Sequence, residues 1–458
     1  MIKINRPLTA CITAAAILVS SAASPAPARL TPDQMRALAG QAISKGFTPE
    51  AYDISSALLR RDPDDLQALL LHSRSARDLG KLAEAKTSAR RAWFLSSEPP
   101  EKFSASMAMA QALSSDGKRS RAQLWLRRAA QNAPDDRTKA IAERDFGYVR
   151  ARNKWSTSLS FNLSPTSNIN NGSRKETTTI TNFGFPIEVF LVGKSRALSG
   201  TEISLGFDTR YKLAQTERSS TNLSFGLNHT NYVLSDEAKK IAPDAKGSDY
   251  AQTVATIGLS HDLRLPSGRS GLGFDGTLGR VWLGGDPFYD FVRLGAAWRY
   301  ALDKKTGTQL RISHEAQTGN VGRTDAQITT FSAGISRQLE SGARLSLSAQ
   351  HALSTSDAHY LDYTSTSVGA RFHMAKPVLG AGLEFGLSAR RKEHDEAGNF
   401  PDGRLEDTVS ADITAVIDQV EFYGFVPTIS LHASRTEALS SLYDKEELGL
   451  RMGIRSSF

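Results

Sequence analysis

The stretch TEISLGFDTRYKL, residues 201–213, has two chemically different faces. Ile203, Leu205, Phe207, Tyr211 and Leu213 fall on one parity; Glu202, Ser204, Gly206, Asp208, Arg210 and Lys212 fall on the other. Period two over this length is a strand signal, because successive side chains of a strand point to opposite faces. The polar face carries charges and glycine, which suits a wet interior rather than a soluble surface. The pattern recurs. Val292, Leu294, Ala296, Trp298 and Tyr300 alternate with Arg293, Gly295, Ala297 and Arg299. Leu310 and Ile312 alternate with Arg311, Ser313 and Glu315, and Leu383, Phe385, Leu387 and Ala389 with Glu384, Gly386, Ser388 and Arg390.

Fourteen such segments start near residues 155, 201, 220, 250, 271, 290, 307, 326, 343, 362, 380, 406, 422 and 444. An even number of antiparallel strands with apolar-out, polar-in alternation is the signature of a single-chain outer-membrane barrel. Every second connection is short, near 215–219, 266–270, 303–307, 340–342, 376–379 and 418–421. The others are generally longer, such as 234–249 and 392–404. Short turns face the periplasm and long loops face outside. Both chain ends of the barrel, and any domain ahead of it, are then expected in the periplasm. Leu448, Leu450, Met452, Ile454 and the terminal Phe458 share one parity, as a barrel-assembly signal would. A soluble propeller would repeat at about 40 residues, and no such repeat is present.

Residues 29–154 differ in composition. They hold 23 Lys and Arg against 15 Asp and Glu, so the net charge of +8 belongs here, whereas residues 155–458 hold 31 against 33. Gly46, Gly80 and Gly117 sit in turns between helical patterns, spaced by 34 and 37 residues. Ala51, Ala85 and Ala122 each follow five residues later, where paired helices approach closely. Pro63, Pro99 and Pro134 close the units, since proline cannot continue a helix. The pattern resembles tetratricopeptide repeats, which stack into a solenoid that binds protein segments. The fold expected is α + β multidomain: residues 29–154 a helical solenoid, 155–458 a 14-stranded antiparallel transmembrane barrel.

Residues 1–28 read as a signal peptide, with Lys3 and Arg6, an apolar stretch from Leu8 to about Val19, and small residues at Ser21, Ala22 and Ala23. The one cysteine, Cys11, lies inside it, so disulfides and thiolate chemistry are not expected in the mature chain. The nine histidines form no metal pair at helical spacing, and neither a phosphate loop nor a nucleophile elbow is present. No enzyme, cofactor or metal is expected. The basic helical part is read as a solvated or docking face, not a nucleic-acid site. The run Arg390, Arg391, Lys392, Glu393, His394, Asp395 and Glu396 is read as a solvated loop end.

One local feature adds to the architecture. The first strand runs into Pro165, Thr166, Ser167, Asn168, Ile169 and Asn170, followed by a long segment before the second strand. Helical repeats, a Pro-x-x-Asn-Ile-Asn turn and a 14-strand barrel together resemble the Slam family, the surface lipoprotein assembly modulators. The resemblance implies an outer-membrane translocator. Its helical domain would engage a client lipoprotein or secreted protein, and its barrel would provide the passage. Outer-membrane lipid and the barrel-assembly machinery are the other implied partners. Residues 173–199 are too long for an ordinary loop and are expected either to fold into the lumen as a plug or to stand outward. Arg210, Arg293, Arg299, Arg311 and Arg390 are lumen candidates by parity. The alternatives are an exopolysaccharide export porin, whose lumen should favour aromatic and acidic residues, and a passive porin. The inward parity here shows few aromatics.

Overall fold

The structure, a computed structural model, describes residues 30–182, 185–394 and 404–456. The expected signal peptide, Phe458, and Asp395 and Glu396 lie outside the described residues. The chain divides into two compact units, Met1–Leu95 and Ser96–Phe458.

The described part of the first unit is two helical hairpins, α1 (Pro32–Lys45) with α2 (Thr48–Arg61) and α3 (Leu66–Asp78) with α4 (Leu82–Leu95). A third hairpin, α5 (Pro99–Ser115) with α6 (Arg119–Gln131), opens the second unit, followed by α7 (Asp136–Arg152). The three turns share one construction. Gly46, Gly80 and Gly117 have φ of 83°, 77° and 73°. That left-handed region is open to glycine and costly to residues with a Cβ. The next residue then donates back across the helix end: Phe47 to the Ala42 carbonyl at 2.8 Å, Lys81 to Ala76 at 2.8 Å, and Lys118 to Leu113 at 2.9 Å. Ala51, Ala85 and Ala122 have no exposed surface, so a larger side chain at any of them would push the paired helices apart. Thr31, Asp65 and Asp135 cap helices through their side chains. In the first unit His72 is buried and bonded to Ser88 at 2.9 Å, and burial pushes its pKa below the ordinary histidine value. No helix of the described residues is long and apolar enough to cross a membrane.

The barrel is closed and antiparallel, with fourteen strands. They are β1 (Trp155–Thr166), β4 (Gly200–Gln215), β5 (Ser219–Leu234), β6 (Gln252–Arg264), β7 (Ser270–Leu283), β8 (Asp286–Ala301) and β9 (Thr306–Gly319), then β10 (Ala326–Gln338), β11 (Arg344–Thr355), β12 (Tyr363–His373), β13 (Gly382–His394), β14 (Arg404–Val416), β15 (Phe425–Ala438) and β16 (Lys445–Ser456). A separate hairpin, β2 (Thr177–Asn182) with β3 (Phe185–Phe190), lies in the β1–β4 connection. The β5–β6 connection holds a short helix, α8 (Asp236–Ile241). The α-to-β change falls between Arg152 and Trp155.

Alternation separates the two faces. Leu205, Leu227, Leu259, Leu278, Leu294 and Leu310 point outward with about half or more of their surface exposed. An apolar belt of this kind has no soluble explanation; it is the lipid-facing band of a membrane barrel. At one end, the turn end, four connections have three to five residues, while the expected tight links at 376–379 and 418–421 lie inside connections of eight, 374–381 and 417–424; the two longest connections, β1–β4 and β5–β6, lie at the other end, the loop end. One loop-end connection is as tight as any turn: Gly284 and Gly285 join β7 to β8 with φ of 63° and 98°, the positive-φ pair of a two-residue hairpin.

Candidate functional site in the barrel lumen

Side chains opposite the apolar belt meet inside the barrel as ion pairs. Arg311 grips Asp275 through two bonds of 2.8 Å, Arg299 reaches Asp262 at 2.8 Å, and Arg293 is paired with Glu315. Glycine makes the room. At Gly295 a Cβ would stand 2.3 Å from Arg311 Nη2, and at Gly386 one would stand 2.2 Å from Asp412 Oδ1. Arg210 lines a cavity with Arg150, Lys154, Lys212, Asn222 and Asp262 at the turn end. Arg390 lines a cavity of about 420 Å³ nearer the loop end, with Glu406, Lys445 and Glu447. The candidate arginines thus lie on the polar parity, and three of them are paired with acids across strands. Arg311, Arg299 and Arg293 sit in neutralised pairs, whereas the turn-end cavity gathers four cationic side chains around one acid, Asp262, that is already bonded to Arg299.

The Asn turn reaches this interior. Asn168 and Asn171 line the same cavity as Arg390, facing Ser348 and Ser367 of β11 and β12. Asn168 closes a clamp on Gly172, donating to its carbonyl at 2.9 Å and accepting from its amide at 3.0 Å. Asn170 donates to the carbonyls of Lys194 and Arg196, each at 2.8 Å, and accepts from Leu198 N at 2.9 Å. It thereby staples the start of the segment to its end. Ile169 is buried with Leu198, Leu234, Ala238, Ala242 and Ala245 in a small core shared with the β5–β6 connection. Gly172 permits the crossing, since a Cβ there would lie 2.2 Å from the Arg196 carbonyl oxygen. The turn at 168–171 lines the lumen cavity, and Phe185, Ile187 and Phe190 of the hairpin that follows are exposed.

The expected scarcity of inward aromatics does not hold at the loop end. Tyr289, Phe291 and Tyr363 share the inward parity, with Phe291 buried, Arg323 4.3 Å over Tyr289 and Lys392 3.8 Å over Tyr363. Gly279 makes the space for Phe291, whose ring a Cβ would meet at 2.3 Å. The run beginning at Arg390 is not a uniformly solvated loop end. Its residues through His394 belong to β13, where Arg391 faces outward to Asp407 at 2.8 Å and His394 is buried against the Tyr363 ring.

Four other histidines lie on the opposite face. His229, His261, His314 and His351 each bond a threonine of the neighbouring strand, at 2.8 to 3.0 Å. The apolar residues Leu450, Met452 and Ile454 point outward from β16. Among the described residues no group of His, Cys, Asp and Glu is arranged to hold a metal.

The turn end carries a docked helical block. Arg127 of α6 donates to the carbonyls of Tyr423 and Gly424 at 3.0 and 2.8 Å and to Ser456 Oγ at 2.7 Å. Its guanidinium lies 4.9 Å from the Phe146 ring and 4.5 Å from the Phe425 ring. Lys139 of α7 pairs with Glu421 at 2.7 Å, and Gln131 accepts from Tyr423 N at 2.7 Å. The hydrogen bond to Glu421 raises Lys139 above the ordinary lysine range.

No protein-family model matches the chain, and no curated protein matches its sequence. Solved structures resemble its barrel. An outer-membrane channel from Pseudomonas putida F1 is 14% identical over 65% of this chain and 95% of that one, with a TM-score of 0.32. A BenF-like porin from Pseudomonas fluorescens Pf-5 is 10% identical over 66% and 98%, with a TM-score of 0.36. A bacterial polysaccharide outer membrane secretin is 8% identical over 66% and 98%, with a TM-score of 0.33. The fold is a closed outer-membrane-type barrel preceded by helices. Lipid-facing band, wet interior and closed sheet are the architecture of an outer-membrane barrel.

Proposed function

We propose that this chain is an outer-membrane translocator that delivers lipoproteins or related secreted proteins to the cell surface. The observation that carries the reading is the helical block fastened to the turn end through Arg127 and Lys139. Short turns mark the periplasmic side of such barrels, so the helices would meet a client where it must enter. The barrel-assembly machinery would insert the chain, and outer-membrane lipid would surround it. Surface proteolysis of candidate lipoproteins in intact cells, with and without the gene, tests this. A client that becomes protease-resistant in the deletion strain at unchanged total level supports translocation.

The exopolysaccharide export porin has one observation in its favour, the inward cluster of Tyr289, Phe291 and Tyr363, because aromatic faces suit sugar rings. If every lipoprotein stays exposed while polysaccharide export falls, that reading replaces the first. A passive porin leaves the docked helices without a role.

A further inference from the structure

The seam between the first and last barrel strands is incompletely zipped. β1 and β16 are registered only at Asn162↔Gly453, Leu163↔Met452 and Thr166↔Gly449. On its other edge β1 is paired with β4 from Trp155↔Tyr211 to Thr166↔Gly200 without a break. At the loop end the cause is local. The Ser167 amide donates to the Leu448 carbonyl at 3.1 Å. Main-chain groups facing one neighbour recur at every second residue, so the next amide toward β16 belongs to Pro165, which has no N–H. Toward the turn end the ladder stops at Asn162↔Gly453, although β16 continues to Ser456. Continuing the register would set Phe161 opposite Ile454 and Leu159 opposite Ser456, and neither pair is formed. Residues from Trp155 to Phe161 are all exposed, the inward serines included.

Leu159 and Phe161 belong to the lipid-facing band. A strand edge left open there has no water to satisfy its amides and carbonyls, so another strand must close it. We propose that β1 at Leu159, Ser160 and Phe161 is a strand-accepting edge for an extended segment of the passenger chain. The edge states the chemistry of its occupant. It shows Leu159 and Phe161 to lipid and Ser160 to the lumen. A partner strand must therefore alternate apolar residues with small polar ones. The inference rests on the translocator reading, because a passenger supplies such a segment at this mouth.

The test uses the full-length chain in lipid vesicles with a photo-crosslinking amino acid in place of Ser160. The probe is a biotinylated peptide of alternating leucine and serine; the control has the same residues in two blocks. Crosslinking to the alternating peptide alone is expected. It should be lost when Phe161→Cys and Ile454→Cys are joined by a disulfide, return on reduction, and be absent with the crosslinker at Ser332 of β10. Equal labelling by both peptides, or labelling indifferent to the disulfide, overturns the proposal. Surface exposure of lipoproteins in the deletion strain is scored separately. Exposure that depends on the gene, beside a failed crosslink, removes strand acceptance and leaves translocation standing. Exposure independent of the gene removes the passenger as occupant.

Discussion

Replacing Arg127 by alanine should loosen the helical block without unmaking the barrel. One guanidinium satisfies two turn carbonyls and the Ser456 hydroxyl while lying between two aromatic rings. Burial lowers its pKa from the ordinary arginine value, so holding the charge there has a cost that the carbonyls offset. Allowing for that cost, losing the charge-assisted bonds and the ring contacts destabilises the docking by about 3 kcal/mol. That corresponds to an increase on the order of 100-fold in the opening of α6 and α7 from the β14–β15 turn. Amide hydrogen exchange of the full-length protein in detergent reads this directly. Faster exchange is expected in residues 119–152 and 421–425, with the β6–β11 amides unchanged. Arg127→Lys should recover little, because a single ammonium cannot serve both carbonyls and stack between rings. Unchanged exchange in the helices would refute the reasoning. So would equal acceleration in β6–β11, which would mean that the block supports the barrel as a whole.

The remaining predictions concern local devices. Gly80→Ala, at φ of 77°, should destabilise the first unit by about 1 kcal/mol, whereas Gly147→Ala, inside α7 with nothing within 4 Å, should stabilise by about 0.5–1 kcal/mol; thermal melts with opposite signs check both. His72 is held neutral by burial, so the unfolded chain binds its proton at a higher pH than the folded one. Stability of the first unit is therefore complete above the ordinary histidine value, near 6.5, and falls as pH drops below it; His72→Gln should flatten that dependence in melts across the range. Asn170→Ala removes the staple across the β1–β4 connection at about 2 kcal/mol. Faster proteolysis within residues 171–199 and a higher conductance in planar bilayers are expected, and unchanged values of both would detach the turn from control of the lumen.

The barrel was legible in the sequence because one buried-or-exposed choice repeats at every second residue. The fourteen strand starts fall within four residues of the positions read from alternation alone. The helical turns were legible for a different reason: Gly46, Gly80 and Gly117 sit at left-handed positions that their spacing exposes. What alternation cannot show is where the membrane ends. Beyond the apolar band the rule inverts, and outward positions carry Arg280 with Asp290 and Arg391 with Asp407. The inward Tyr289 and Phe291 lie in that zone, so a parity established on Arg293 and Arg299 gave no warning of them. The Asn turn was legible as a turn. Its clamp on Gly172 depends on a chain crossing from residue 196 that no local pattern encodes.

The seam and the helical block are mechanically one arrangement. α7 runs through Asn153 and Lys154 directly into β1, where Trp155 N bonds Asn153 and Lys212 N bonds the Lys154 carbonyl. α6, on the same block, holds Ser456 at the end of β16 and the turn that starts β15. The helices therefore tie together the two strands whose own ladder stops at Asn162↔Gly453. A load on α6 or α7 is transmitted to both sides of the gap, whereas a load on the β10–β11 turn meets a fully registered pair. Strand pairing resists opening in proportion to the bonds that must break together, so the seam is where a bound client could change the barrel at least cost. It follows that loosening Arg127 and bridging Phe161 to Ile454 should act in opposite directions on the same gap: the first exposes the β1 edge and the second conceals it.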